Sequence, residues 1–350
     1  MTAFEGGAAT VAETEIKGVI RYAFDHVRIY RVRVESLPGH LTNVYLILDG
    51  EASLVDVGFD AEKSRADLKK GFDIINSDFK ENIRLEDIAN VIITHGHGDH
   101  FGMLAYERLK GKRVYIHPLD SSAIRDYPSE YYKWKQITEE TVREAGCHIN
   151  PNVGEIWTPE KFPIQARDYN LIEVSDGEKI VNGYEVCHTP GHSPGHICLK
   201  AGPVLFLGDH ILSFTTPHQS PKSAWQGGGL ETYLASLKKV SDLGVELGLP
   251  GHENNIYTVK HRAQEIEAFH HQRLEEIVEL CADEKSLYQL TSEYYRRHPE
   301  FIQSLSIDEL VDEEKITALQ EIKAHVEYLL EHDRMTVSSV DNGVIKYCSM

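Results

Sequence analysis

Thr94-His95-Gly96-His97-Gly98-Asp99-His100 places three imidazoles and a carboxylate within six positions. Nitrogen and oxygen donors in this mixture suit borderline divalent ions such as zinc. No regular strand or helix presents all four on one face, whereas a loop can turn them toward a common point. The apolar run Val91-Ile92-Ile93 comes just before, so the motif reads as a strand end opening into a loop and then a helix. Alone it could be a solvated loop rich in histidine. The chain, however, supplies more donors of the same kind: His192 after Thr189-Pro190-Gly191, Asp209 after Leu205-Phe206-Leu207-Gly208, His252 after Leu249-Pro250-Gly251, and Asp56 after Leu54-Val55. Each sits where an apolar run stops, and packed sheets can bring such ends to one edge.

The elements that must position them alternate along the chain. After a flexible lead-in over 1–16, strands are expected at 27–34, 43–48 and 53–56, with Asp49-Gly50 as a turn. A helix near 60–75 precedes the strand at 91–93, and another strand, 113–116, follows a helix through 101–109. Residues 119–165 are aromatic and irregular and read as a helical cap over the strand ends. Strands resume at 171–174, 179–188, 196–200 and 203–207, and a helix at 230–242 leads to 247–250. Two face-to-face sheets with helices outside, a four-layer αββα sandwich of the α/β class, fit this order better than one doubly wound sheet. Composition changes near 258, which divides the chain into 17–257 and 258–350. The second part reads as helices at 259–282, 286–297 and 312–332, then a hairpin around Asp341-Asn342-Gly343, a winged-helix-like arrangement.

Bulk properties restrict the partners. The formal charge is −19, which disfavours phosphate backbones and anionic lipid surfaces. From Lys260 to Met350 there are ten Lys plus Arg against nineteen Asp plus Glu, so nucleic acid is an unfavoured partner for the tail and a structural or homodimerising role is expected. Five cysteines without a C-x-x-C pair suit reduced thiols. The first residues lack a basic and apolar leader, and no apolar run approaches the roughly 20 residues of a membrane span. The expected setting is cytoplasmic.

The set THGHGDH, TPGHSPGH, FLGDH and LPGH resembles the metallo-β-lactamase superfamily over roughly residues 20–257. Thr189 to Ile197 is especially similar to its glyoxalase II-like (hydroxyacylglutathione hydrolase-like) branch. The helical tail resembles a subgroup of that branch that includes thioesterases, other hydrolases and an endoribonuclease. The resemblance implies two divalent ions, with zinc expected and iron or manganese also suited to the donor set. It implies that His95, His97 and His192 hold the first ion, that Asp99, His100 and His252 hold the second, and that Asp209 bridges them. Asp56 would fix the motif loop through a ligand's other ring nitrogen. True β-lactam hydrolases of the family usually carry cysteine where Asp209 stands, so the aspartate implies ester, thioester or phosphodiester substrates.

The implied chemistry is hydrolysis. Two ions sharing a water lower its pKa toward 7 and give a bridging hydroxide, while one ion polarises the carbonyl. A thiol with a pKa of about 8.5 leaves without much help from an acid. Asp99 would orient the nucleophile or carry its proton. His40 and His218, in proline-containing loops, and Tyr131 and Trp134, from an aromatic cluster otherwise read as core, are candidates to touch substrate. His196 and His210 are expected to be structural, and His117 structural or on the rim. Arg108, Lys110, Lys112 and Arg113 form a solvated basic face that could dock an anionic carrier such as CoA or glutathione. The favoured function is therefore hydrolysis of an acyl-CoA or acyl-glutathione type of thioester, or a related ester. The alternatives are a phosphodiesterase or endoribonuclease of the same fold, a persulfide dioxygenase with one iron, and a regulatory protein that binds a ligand through a retained site.

Overall fold

The structure, a computed structural model, describes residues 10–149, 154, 157–162, 164, 166–301 and 306–350. An eight-stranded sheet follows chain order: β1 (Ala12–Ile16), β2 (Val19–Phe24), β3 (Val27–Leu37), β4 (His40–Leu48), β5 (Ser53–Val55), β6 (Asn90–Ile92), β7 (Arg113–Ile116) and β8 (Asn170–Glu173). It is antiparallel up to β5 and parallel from β5 to β8. A five-stranded sheet holds β9 (Lys179–Ile180), β10 (Tyr184–His188), β11 (Ile197–Ala201), β12 (Val204–Gly208) and β13 (Leu247–Pro250), with β12 and β13 parallel. Eight α-helices occur among the described residues: α1 (Glu62–Ser77), α2 (Gly98–Phe101), α3 (Ser122–Arg125), α4 (Tyr127–Ala145), α5 (Leu230–Ser241), α6 (Val259–Leu280), α7 (Leu287–Arg297) and α8 (Asp312–Glu331).

Strand side chains alternate between faces, and this alternation makes the layers. Ile29, Tyr45, Ile47 and Ile92 meet Val186, Leu199, Phe206 and Leu249 between the two sheets. Tyr30, Val44, Leu46 and Val91 point to the other side, onto Leu68, Phe72 and Ile75 of α1. Gly71 lets α1 approach β3 closely, since a Cβ there would overlap the Val32 side chain. Leu205 and Leu207 on the outer face of the second sheet are covered by α5 and α6. The result is the expected helix–sheet–sheet–helix sandwich.

The last part of the chain runs α6, β14 (Lys285–Ser286), α7, α8, β15 (Met335–Asp341) and β16 (Val344–Ser349), with the small sheet ordered β14-β16-β15. Asn342 and Gly343 make its hairpin turn at φ 51° and 85°, the left-handed values such turns need. Ser286 and Gln289 form a reciprocal cap at the start of α7. Ile277, Leu290, Leu319 and Ile322 from this part share one buried cluster with Leu205, Leu207 and Leu237, so the apolar core is continuous from the second sheet into the terminal helices. No described helix is long and apolar enough to cross a membrane.

Three expectations need correction: the helix expected through 101–109 is only the end of α2 followed by two 3-10 turns, Gly102–Ala105 and Glu107–Leu109. Ala12–Ile16, read as part of a flexible lead-in, pairs with β2 as an edge strand; residues 1–9 lie outside the described residues. The strand expected over 179–188 is two strands, because Asn182 and Gly183 turn the chain at φ 60° and 82°.

Candidate metal centre

The parallel strands β5 and β6 end at the same edge, which places Asp56 beside Thr94–His100. Strands β12 and β13 also run parallel, and their ends bring Asp209 and His252 together. The β10–β11 loop supplies His192. All seven donors implied by the resemblance therefore meet. The Nε2 atoms of His95 and His192 each lie 3.0 Å from His97 Nδ1. His100 Nε2 is 3.1 Å from His252 Nε2, and Asp99 Oδ2 is 3.3 Å from His252 Nε2 and 3.5 Å from His100 Nε2. Asp209 Oδ2 lies 3.2, 3.5, 3.7 and 4.0 Å from the Nε2 atoms of His252, His100, His192 and His95. Two ligands bound at about 2.0–2.1 Å on a tetrahedral ion stand roughly 3.3 Å apart, so the spacings are those of a ligand shell.

The outer ring nitrogens show which inner atoms are free to bind. His252 and His192 donate Nδ1–H to the carbonyls of Leu41 and His218, each at 2.7 Å. His100 donates Nδ1–H to Asp56 at 2.8 Å. Thr94 gives its hydroxyl proton to Asp56, so its oxygen accepts from His95 Nδ1 at 3.0 Å. These bonds leave the Nε2 of each of the four rings turned inward, toward the other donors. Asp209 Oδ1 is buried without a partner among the described residues. A Cβ on Gly251 would lie 2.5 Å from that oxygen and 2.7 Å from His100 Cε1, so glycine leaves the room these atoms occupy. The residues fit a metal site.

Charge is balanced the same way. Burial pushes the imidazoles of His95, His97 and His192 below the usual histidine range, His97 to about 3, so they are neutral donors at pH 7. Burial acts on His252 in the same direction, but Asp209 and Asp99 raise it to about 10. Burial also opposes ionisation of Asp99 and Asp209. The imidazoles of His100 and His252 outweigh it and hold both carboxyls well below the usual range.

Supporting residues fix the loops. Asp56 sits at φ 54°, a left-handed conformation that a non-glycine residue holds at some cost, and accepts from the Thr94 amide at 2.9 Å. Asp120 is a buried carboxylate that sequence reasoning missed. It accepts from the Gly96 amide at 2.8 Å, the Gly195 amide at 2.6 Å and the Ser193 hydroxyl at 2.6 Å, joining the two ligand loops. Its position just past the end of β7, as Asp56 lies just past β5, was the available signal. His196, as expected, is no donor to the centre: its Nε2 accepts the Asp209 amide at 3.0 Å. His210 is buried against Tyr233, and His117 stacks on His188 at 3.9 Å.

A pocket of about 380 Å³ opens on His97, Asp99 and His192. Tyr131 and Trp134 of α4 line it, as does His218, whose ring lies 3.2 Å from Glu321 of α8. His40 is placed differently. It starts β4 and donates to Asp99 at 2.9 Å, and Asp99, His252 and His40 together make a third group of donors close enough to hold an ion. The basic residues 108–113 lie at the start of β7, the end remote from the donors. Arg108, Lys110 and Arg113 pair there with Glu86, Asp168 and Glu51.

A two-sheet sandwich that gathers histidines and aspartates at one strand edge defines a metallo-hydrolase. The chain belongs to the metallo-beta-lactamase superfamily, which it matches over residues 37–252. It is 25% identical to the probable metallo-hydrolase YqjP of Bacillus subtilis (strain 168) over 227 residues, 62% of this chain and 68% of YqjP. It is 29% identical to the human acyl-coenzyme A thioesterase MBLAC2 over 227 residues, 62% of this chain and 74% of that protein. Among solved structures, a metallo-beta-lactamase family protein of Thermus thermophilus superposes with a TM-score of 0.74 at 24% identity, covering 92% of this chain and 98% of its own. That likeness extends the shared fold through the terminal helices.

Proposed function

We propose that the chain is a two-metal hydrolase of a thioester or related ester. The observation that carries this reading is Asp209, whose Oδ2 lies within 4.0 Å of Nε2 atoms from His95, His192, His100 and His252. One carboxylate between two donor groups is the arrangement expected of a bridging ligand. His95, His97 and His192 form one group, and Asp99, His100 and His252 the other. Zinc is the proposed ion, with iron or manganese the other outcomes of metal analysis. Divalent ions held there would supply a water nucleophile at neutral pH and polarise the substrate carbonyl.

The protein's own groups do the rest. Asp99 faces the pocket and shares its Oδ2 with His40 and His252, a place to hold a proton between nucleophile and leaving group. Gly96, Gly98 and Pro194 line the mouth beside the donors, which leaves room for an acyl carbon. The likeness to YqjP and to MBLAC2 supports hydrolysis and, for the second, a thioester. Metal-loaded protein should release thiol from acyl-CoA or acyl-glutathione, or acid from esters and lactones. Absence of turnover across that panel overturns the reading.

We read the terminal part from about residue 258 as a winged-helix-like domain, from its α6-β14-α7-α8-β15-β16 order. In a winged helix that reads nucleic acid, the helix before the wing must be exposed. Here α8 is buried from Ala318 through Ile322 and again from Ala324 through Val326, and it lines the pocket. This supports a role in building the substrate site over RNA recognition.

A further inference from the structure

Two helical stripes face each other across the pocket. Tyr131, Trp134 and Ile137 come from α4, while Ile316 and Gln320 come from α8, at spacings that put each set on one helix face. The lining is mainly apolar, and among the described residues it contains no lysine or arginine. Its charged members are all carboxylates: Asp99 and Asp120 at the donor end, and Glu130 and Glu313 on the two helices. Lys133, on α4, sits over the Trp225 ring, 4.4 Å from its centroid. Glu313 accepts from the Gly154 amide at 3.3 Å. A slot of this kind offers burial to a hydrocarbon chain and no counter-charge to an anion. The whole pocket, of which the slot is one wall-to-wall part, holds about 380 Å³, far more than an acetyl or a small hydroxyacyl group needs.

We propose that the slot between α4 and α8 takes the acyl part of the substrate, and that this part is an uncharged, apolar chain of medium length rather than a small polar or carboxylated acyl group. The inference deepens the hydrolase reading and rests on it. The carrier end of the substrate stays outside the slot, so the slot sets acyl selectivity. Ile316, which is buried, and Ile137 are the specificity-determining positions, since each presents a β-branched side chain to the space between the helices.

The test uses metal-loaded full-length protein and thioesters of one neutral thiol, N-acetylcysteamine, carrying acetyl, butyryl, octanoyl or ω-carboxyoctanoyl groups. The slot predicts that kcat/KM rises up to about fourfold per added methylene and falls on the order of 100-fold when the chain ends in a carboxylate. A second readout does not need turnover. Trp134, Trp157 and Trp225 are the three tryptophans of the chain, and all line the pocket, so 1-octanol should change the intrinsic fluorescence saturably. Ile316→Phe should weaken octanol binding and shift preference from octanoyl toward butyryl. Ile137→Phe, at a less buried position, should do the same if Ile316→Phe fails to fold. Hydrolysis with equal kcat/KM for all four chains, or fluorescence blind to octanol, overturns the inference. Saturable octanol binding weakened by these variants, without hydrolysis of any thioester, supports the slot and overturns the hydrolase reading instead.

Discussion

Glu321 Oε2, on α8, lies 3.2 Å from Nδ1 of His218, and the main-chain carbonyl of that same histidine accepts Nδ1–H of His192 at 2.7 Å. Glu321 also accepts the Gln219 amide at 2.7 Å and pairs with Arg273 of α6, whose Nε reaches Tyr294 of α7 at 2.9 Å. Helices α6 and α8 therefore meet at one carboxylate, which α7 reaches only through Arg273, and that carboxylate fixes the loop behind the proposed donor His192. Glu321→Gln leaves the buried Arg273 without its counter-charge and should destabilise the protein by about 3–5 kcal/mol. Denaturant unfolding measures this. Arg273→Met added to Glu321→Gln should recover much of the loss, because no buried charge is then unpaired and the side-chain oxygen still accepts the Gln219 amide.

Asp56 touches no inner donor atom, yet it holds both Thr94 and His100. Asp56→Asn keeps the shape and tolerates the left-handed backbone, but it cannot accept all three protons, from the Thr94 amide, the Thr94 hydroxyl and His100 Nδ1. A fall of 10–100-fold in metal affinity is expected, read by competition with a chromophoric chelator. Unchanged affinity would contradict the role assigned to it.

Asp120 couples the loop of His95 and His97 to the loop of His192. Asp120→Ala strands the buried Gly195 amide, the partly buried Gly96 amide and the Ser193 hydroxyl, at about 1–3 kcal/mol for a buried group left unpaired. Its carboxyl is raised by burial against the bonds it accepts, so Asp120→Asn should retain part of the function. Thermal unfolding and metal content should both fall further in the alanine variant than in the asparagine one.

Acid should weaken the fold before it protonates most carboxylates. Burial pushes His210 down to about 3 and His325 to about 4, and it lowers His270 as well. Unfolded histidines titrate near 6.5, so between that pH and about 4 the unfolded chain binds more protons than the folded one. Stability is then full above about pH 6.5 and declines as pH falls toward 4. His325→Gln removes one such group, and the pH slope of its unfolding free energy should be shallower by up to about 1.4 kcal/mol per unit. Denaturation of both proteins at pH 7 and pH 5 decides it.

The donors were legible in the sequence because each combines a ligating side chain with the end of an apolar run. The sandwich was legible because strands and helices alternate with clear periods. Asp120 and Glu321 were not, since their value lies in amides and rings that arrive from distant segments. Edge strand β1 buries little and so lacks the apolar alternation that marks β3 or β4. The turn at Asn182-Gly183 did carry a hairpin signal, hidden by the apolar residues on both sides. Pocket walls from α8 could not be foreseen without knowing that the terminal helices fold back over the donor edge.

Asp209 is proposed to join two metal positions. Elemental analysis of purified, metal-replete protein beside Asp209→Ser tests it most directly. Two divalent ions per chain are expected in the parent and no more than one in the variant. A single ion per chain in both proteins would contradict it.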